Sequence, residues 1–340
     1  MGNVYVAAAD RYDSGMKYRR CGDSGVMLPE LSLGLWHNFG SVDRYDNMKS
    51  VAHYAFDHGI VHFDLADNYG PVPGSAEENF GRLMKDSFAP HRDELFISTK
   101  AGHDMWSGPY GTWNSRKHLM AGLDQSLKRM GLDYVDVFYS HRYDPETPIE
   151  ETLQALVDIV RSGKALYVGL SKYPKHQAMF AYDYLARRDV HCLVYQGRYN
   201  MLTTAVDDDG IIDDAAAAGV GFAAFSPLAQ GLLTDKYLHG IPADSRVARG
   251  GFLKKEQLVP EVISVVSELN RIALDRGESL ADMALAWLLA DRNVTTVIMG
   301  ASSVEQLGDN LQCLYSAPFS DEEIARIEGV LKLLKTSDAV

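Results

Sequence analysis

Short apolar runs alternate with helical patterns along nearly the whole chain, and this alternation constrains the fold more than any other feature. The runs lie at 31–34, 60–63, 95–99, 135–140, 166–170, 193–196, 221–225 and 295–299. Each reads as a short buried strand. Between them the period changes to that of a helix. Met48, Val51, Ala52, Ala55 and Phe56 share one face of the pattern at 43–57, and Gly59 closes it. Ser115 caps a helix carrying Leu119, Leu123, Leu127 and Met130, and Pro148 opens the next. Ser320 followed by Glu323 is a capping-box start for a terminal helix over 321–334. Eight strands alternating with helices predict an α/β fold, a (β/α)8 TIM barrel, with an open doubly wound sheet as the alternative.

Two segments break the rhythm. Residues 16–28 read as an N-terminal hairpin around the Gly22–Gly25 turn. Residues 226–255, after the seventh strand, are too long for an ordinary connection, and such loops are often functional. The chain shows no internal repeat, low-complexity tract or linker, so one domain over 1–340 is expected. A net charge of −13 argues against a general nucleic-acid or anionic-membrane surface. No apolar run approaches the roughly 18 residues of a membrane span. Cys21, Cys192 and Cys313 are far apart, with no CxxC. That argues against a disulfide framework or structural zinc and fits a reducing cytoplasm. The N-terminus lacks a signal-peptide pattern.

The second, third and fourth runs each lead to an ionisable side chain: Asp64, Lys100 and His141. Tyr69 stands five residues beyond Asp64. In a closed parallel barrel these ends meet at one face, where barrel enzymes keep their chemistry. A tyrosine has a reference pKa of about 10, and a nearby ammonium lowers it. Aspartate would hold the lysine charged, and histidine would orient a carbonyl or relay a proton. Together they could protonate an aldehyde oxygen as a hydride reaches carbon. The hydride must come from a cofactor. Taken singly, each residue has a plainer reading: an N-cap, a solvated or Schiff-base lysine, a core histidine, a packing tyrosine.

Other chemistries fit less well. The first strand lacks His-x-His, and no HExxH occurs, so no metal site is expected. Gly169-Leu170-Ser171-Lys172-Tyr173 lacks the last glycine of a nucleophile elbow. The glycines at Gly219 and Gly221 precede a strand instead of following one, unlike a dinucleotide-binding turn. Later strand ends suit a cofactor. Ser171, Lys172 and Gln196 could hold a carboxamide, and Phe225 could stack on a nicotinamide. Gly300-Ala301-Ser302-Ser303 opens a helix that could meet a phosphate or be simply N-capped. Lys236 and Arg246 are phosphate clamps or surface charges.

From Tyr18 to about Leu314 the chain resembles the aldo-keto reductases. The segments Phe63-Asp64-Leu65-Ala66-Asp67-Asn68-Tyr69-Gly70, Ile97-Ser98-Thr99-Lys100 and Leu132-Asp133-Tyr134-Val135-Asp136, leading to His141, carry that resemblance. It implies Tyr69 as general acid/base, tuned by Asp64, Lys100 and His141. It also implies NADPH bound without a Rossmann fold, beneath the long loop. The matching cofactor positions are Ser171, Gln196, Phe225, Ser226, Leu228, Gly231, Lys236, Arg246, Gly300, Ser302, Gln306 and Asn310. Lys172 stands where Ser, Asn or Arg is more usual beside the nicotinamide. Further stretches, such as Leu35-Trp36-His37-Asn38-Phe39 and His103-Asp104-Met105-Trp106, are similar to the bacterial L-glyceraldehyde 3-phosphate reductase group. That group is itself similar to potassium channel beta subunits. The expectation is NADPH-dependent reduction of small aldehydes of the L-glyceraldehyde 3-phosphate or methylglyoxal type, in a cytoplasmic homo-oligomer. Trp36, Met105, Trp106, Tyr110 and Trp113 would wall the substrate, or else serve core or interface. His37, Arg142 and Lys172 are candidates for a substrate phosphate. The alternatives are an NADPH-binding regulatory subunit and a Schiff-base aldolase using Lys100.

Overall fold

The computed structural model describes residues 5–238, 240–242, 253, 254, 256 and 258–335. Among them, parallel strands close into one barrel in the order β10, β3, β4, β5, β6, β7, β8, β9. These are β3 (Leu31–Gly34), β4 (His62–Asp64), β5 (Phe96–Ala101), β6 (Val135–Ser140), β7 (Ala165–Ser171), β8 (Cys192–Arg198), β9 (Gly221–Phe225) and β10 (Val294–Met299). The helices are α1 (Tyr45–Asp57), α2 (Ser75–Leu83), α3 (Arg116–Met130), α4 (Ile149–Arg161), α5 (Lys175–Ala186), α6 (Ala205–Asp208), α7 (Ile211–Ala217), α8 (Pro260–Asp275), α9 (Leu280–Ala290), α10 (Val304–Asn310) and α11 (Asp321–Lys335). The closed barrel replaces the open-sheet alternative. Its strands are buried on both faces, which is why they read as short apolar runs without alternation.

Several helix boundaries follow the caps expected from sequence. Ser115 Oγ accepts the His118 N–H. Ser320 and Glu323 bond reciprocally, the glutamate reaching back to the Ser320 N–H at 2.7 Å. Others differ. α2 runs past Leu83 without a side-chain cap into a π turn over Met84–Phe88. That wider turn buries both Met84 and Phe88, the latter against Phe56 and Phe63. The helix opened by Ser303 is α10, which passes into a 3-10 segment, Leu311–Tyr315, that turns Leu311 and Cys313 inward.

The hairpin pairs β1 (Tyr18–Arg20) antiparallel to β2 (Met27–Pro29). Cys21 and Leu28 are fully buried and join Val137, Tyr139, Val194 and Ala223 in the barrel interior. The Asp23 N–H bonds Gly219 O at 3.0 Å, just ahead of β9. The hairpin thus closes the N-terminal end of the barrel and leaves the C-terminal end for chemistry. A second apolar cluster, including Leu232, Leu233, Tyr237, Val266, Leu269, Met283 and Ile327, joins the segment after β9 to α8, α9 and α11. The long loop is therefore rooted in its own small core.

Interior packing depends on a missing side chain. A Cβ on Gly169 would run into the fully buried Tyr139 ring and stand 3.0 Å from Val194 O. Gly169→Ala is expected to destabilise the fold by about 1–3 kcal/mol through overpacking. A chemical-denaturation midpoint equal to that of the unaltered protein would refute this.

Candidate active site

In a strand, side chains two residues apart face the same side. His62 and Asp64 therefore both enter the barrel, as do Ser98 and Lys100 on the neighbouring strand. Asp64 lies opposite Ser98 in the β4–β5 register. Lys100, fully buried, donates to Asp64 Oδ2 at 2.6 Å and to Leu65 O at 2.6 Å. Its third contact is Tyr69 Oη at 3.3 Å. Asp64 Oδ1 accepts from Ser98 Oγ at 2.8 Å and from Gln196 Nε2 at 3.0 Å. Tyr69 sits in the loop before α2, held by its N–H to Ala66 O and its carbonyl to the Ala76 N–H. The His141 ring stands 5.9 Å from the Tyr69 ring, edge to face. Its Nδ1 is buried with no hydrogen-bond partner. The barrel thus brings Asp64, Tyr69, Lys100 and His141 together.

Burial dominates the electrostatics. It raises the Tyr69 phenol well above its ordinary pKa, helped by the negative charges of Asp64 and Asp67. The lowering expected from Lys100 is outweighed: the ammonium is already paired with Asp64, and the phenol lies in low dielectric. A neutral phenol is a proton donor at physiological pH. Burial likewise lowers Lys100, against the opposing pull of Asp64. His141 is pushed well below its usual range by burial, then by Lys172 and Lys100, so it is a neutral imidazole. Behind the loop, burial and Glu77 raise Asp67 well above the carboxylate range, and neither of its oxygens has a partner.

A cleft of about 350 Å³ opens above these groups, within the size range of ligand sites. Asp64 and Tyr69 line it, with Trp36, His37, Phe225, Ser226, Leu228, Gly231, Lys236, Gly300, Ser302 and Gln306. Ser226, Ala229 and Gln230 have left-handed φ of 56°, 45° and 58°. Such backbone strain concentrates at functional sites. Ser302 donates to Gln306 Oε1 through both N–H and Oγ, each at 2.8 Å, and Ser303 caps α10.

Other expected positions lie outside the lining. Gln196 is bonded to Asp64. Ser171 and Asn310 are buried, and Ser171 Oγ and Asn310 Nδ2 have no partner. Lys172 has a left-handed φ of 54°, with Nζ 3.3 Å from His103 Nε2. Trp106 packs 4.9 Å from the His118 ring instead of entering the cleft. Arg246 falls outside the described residues. Sequence reasoning missed Ser98, and also Asn38, Gln230, Thr234 and Tyr237 in the lining. Ser98 was detectable, two residues from Lys100 on one strand; the loop residues carry no such period. Among the described residues, no group of three His, Cys, Asp or Glu is placed to hold a metal ion, and no helix is long and apolar enough to cross a membrane.

Comparisons with known proteins agree with this geometry. A model described as the aldo/keto reductase family matches residues 30–332. The chain is 54% identical over 330 residues to L-glyceraldehyde 3-phosphate reductase of Escherichia coli strain K12, covering 96% of this chain and 95% of that protein. The protein of the same name in Escherichia coli O157:H7 matches to the same extent, 54% over 330 residues. A probable voltage-gated potassium channel subunit beta of Arabidopsis thaliana is 37% identical over 309 residues, 89% of this chain and 92% of that one.

The buried ion pair makes a stability prediction. Lys100→Met leaves the Asp64 charge uncompensated and is expected to cost on the order of 3–5 kcal/mol. Asp64→Leu combined with Lys100→Met should recover part of that loss. A single variant as stable in denaturant as the unaltered protein would contradict the pairing.

Proposed function

The chain belongs to the aldo/keto reductase family, and on that premise we propose that this oxidoreductase reduces small aldehydes with NADPH. The observation that carries the proposal is the position of Lys100 Nζ, 2.6 Å from Asp64 Oδ2 and 3.3 Å from Tyr69 Oη. Tyr69 and Phe225 share the cleft above it. When bound, the nicotinamide supplies the hydride. Tyr69 Oη gives its proton to the carbonyl oxygen and regains one from solvent, so that aldehyde, hydride and proton yield the alcohol. Lys100 stabilises the phenolate left behind. Neutral His141 orients the carbonyl.

The residues present fit the cofactor. Phe225 offers a ring to the nicotinamide. Ser171 Oγ and Asn310 Nδ2 are buried polar atoms still without partners, and Ser171 would suit the carboxamide. Lys236, Ser302 and Gln306 would meet phosphate oxygens along the cleft; Arg246, a further candidate from the sequence, lies outside the described residues.

A rim of cations supports a phosphate-bearing aldehyde such as L-glyceraldehyde 3-phosphate, with methylglyoxal as a second substrate. The two E. coli relatives bear the name of that first activity. Beyond His141, the His103 ring packs at 4.5 Å, and Lys172 Nζ lies next to it. The Arg142 guanidinium stacks 3.7 Å from the Trp113 ring centre. Its nearest carboxylate, Asp104, is 4.0 Å away and exposed. Although Lys172 is exposed as a residue, the surrounding protein, then Lys100, Arg142 and Arg198, lower its ammonium to about 8. Three buried free cysteines fit a cytoplasmic setting. We extend the reading to a homo-oligomer of single-domain chains.

Tyr69→Phe should lower NADPH-dependent aldehyde turnover by about 10²–10⁴-fold in stopped-flow assays while NADPH binding persists. Unchanged turnover would remove Tyr69 from its role. An unaltered chain that binds NADPH but turns over no aldehyde would favour the regulatory-subunit reading. Lys172 is a cation below about pH 8 and neutral above it. Selectivity for glyceraldehyde 3-phosphate over uncharged glyceraldehyde, measured as the ratio of kcat/KM values, should therefore fall as pH rises through that value. A ratio flat across the range would argue against Lys172 as the phosphate contact.

A further inference from the structure

A file of hydrogen-bonded side chains crosses the barrel interior beneath the reactive end, and the reductase reading makes no use of it. Thr296, Ser32, His62 and Ser98 come from β10, β3, β4 and β5, neighbours in the barrel, and all four are fully buried. Thr296 Oγ1 and Ser32 Oγ are 2.6 Å apart. Ser32 Oγ is 2.8 Å from His62 Nδ1, and His62 Nε2 is 3.0 Å from Ser98 Oγ. The file ends where Ser98 Oγ meets Asp64 Oδ1 at 2.8 Å.

The hydrogen inventory of these groups gives the file one direction. The Asp64 carboxylate, paired with Lys100, can only accept. Ser98 therefore spends its single hydroxyl hydrogen on Asp64 and must accept from His62 Nε2–H. The charged groups facing His62 are Asp64 on its own strand and Lys100 on β5. Burial pushes the imidazole down to about 4, so it is neutral in the working range. A neutral imidazole with its hydrogen on Nε2 accepts at Nδ1. Ser32 therefore donates to His62, and Thr296 donates to Ser32. Every donor points towards Asp64.

We propose that His62 is a positioning residue for the reduction, acting through Ser98 to fix the angle at which Asp64 holds Lys100 beneath Tyr69. The proposal rests on the reductase reading. Ser98 and Gln196 together occupy Oδ1, which leaves Oδ2 turned to the ammonium. Without the Nε2–H donor, the Ser98 hydroxyl is free to rotate. The carboxylate then loses one of the bonds that set its plane. A displacement of about 1 Å at a reacting group can cost about 10²-fold in rate.

The first test does not need turnover. Nitrogen-15 NMR of the histidine-labelled full chain should show His62 as the neutral Nε2–H tautomer, unchanged between about pH 6 and pH 8. The Nδ1–H tautomer, or a titration in that range, overturns the proposal. The second test is kinetic. His62→Leu and Ser98→Ala should each lower kcat by about tenfold or more and alter its pH profile, with KM for NADPH within about twofold of the unaltered value. His62→Gln, whose amide N–H can face Ser98, should restore both rate and profile. Unchanged kcat in Ser98→Ala, or a glutamine variant as impaired as the leucine one, overturns the positioning role. Should His62→Leu fail to fold, Ser98→Ala and His62→Gln carry the test. An unaltered chain without aldehyde turnover defeats the reductase reading, while the NMR arm still decides the direction of the file.

Discussion

The Lys100–Asp64 pair is the contact on which the site depends. Both groups are almost wholly buried, and a buried ion pair survives only when further hydrogen bonds complete its coordination. Here Leu65 O takes a second ammonium hydrogen, while Ser98 and Gln196 complete one carboxylate oxygen. These partners come from β5, β8 and the segment after β4, so the pair is held by the closed sheet. Tyr69, carried on a loop, takes its position from this rigid base.

The two ends of the barrel divide the work. The hairpin fills the N-terminal end with Cys21 and Leu28, which makes that end part of the core. At the other end, residues directly after strands adopt strained conformations. Lys172 follows β7 and Ser226 follows β9, both left-handed. Their strain is sustained because the strands behind them are locked in register and the loop beyond Ser226 is anchored in the second apolar cluster.

Net charge and local field have opposite signs. The chain carries −13 overall, yet Lys100, Lys172 and Arg142 all act on His141. Low-dielectric walls focus such local charges, so the field at the mouth differs in sign from the field of the surface as a whole. The same cations, added to burial, keep His141 a neutral imidazole.

Much of this was legible from the residues alone. The alternation of apolar runs with helical patterns pointed to parallel strands covered on both faces, with a barrel preferred to an open sheet. Chain order placed Asp64, Lys100 and His141 at successive strand ends, and parallel strands put those ends on one face. The caps at Ser115 and Ser320 were local chemistry and were visible as such. Closure decided the rest. Ser98 and Gln196 reach Asp64 across 34 and 132 residues of chain. No local pattern encodes that convergence, since it follows from the stagger of the strands. The proton affinity of Tyr69 also escaped the sequence: the lysine's presence was readable, but the burial that outweighs it exists only once the barrel has folded around the pair.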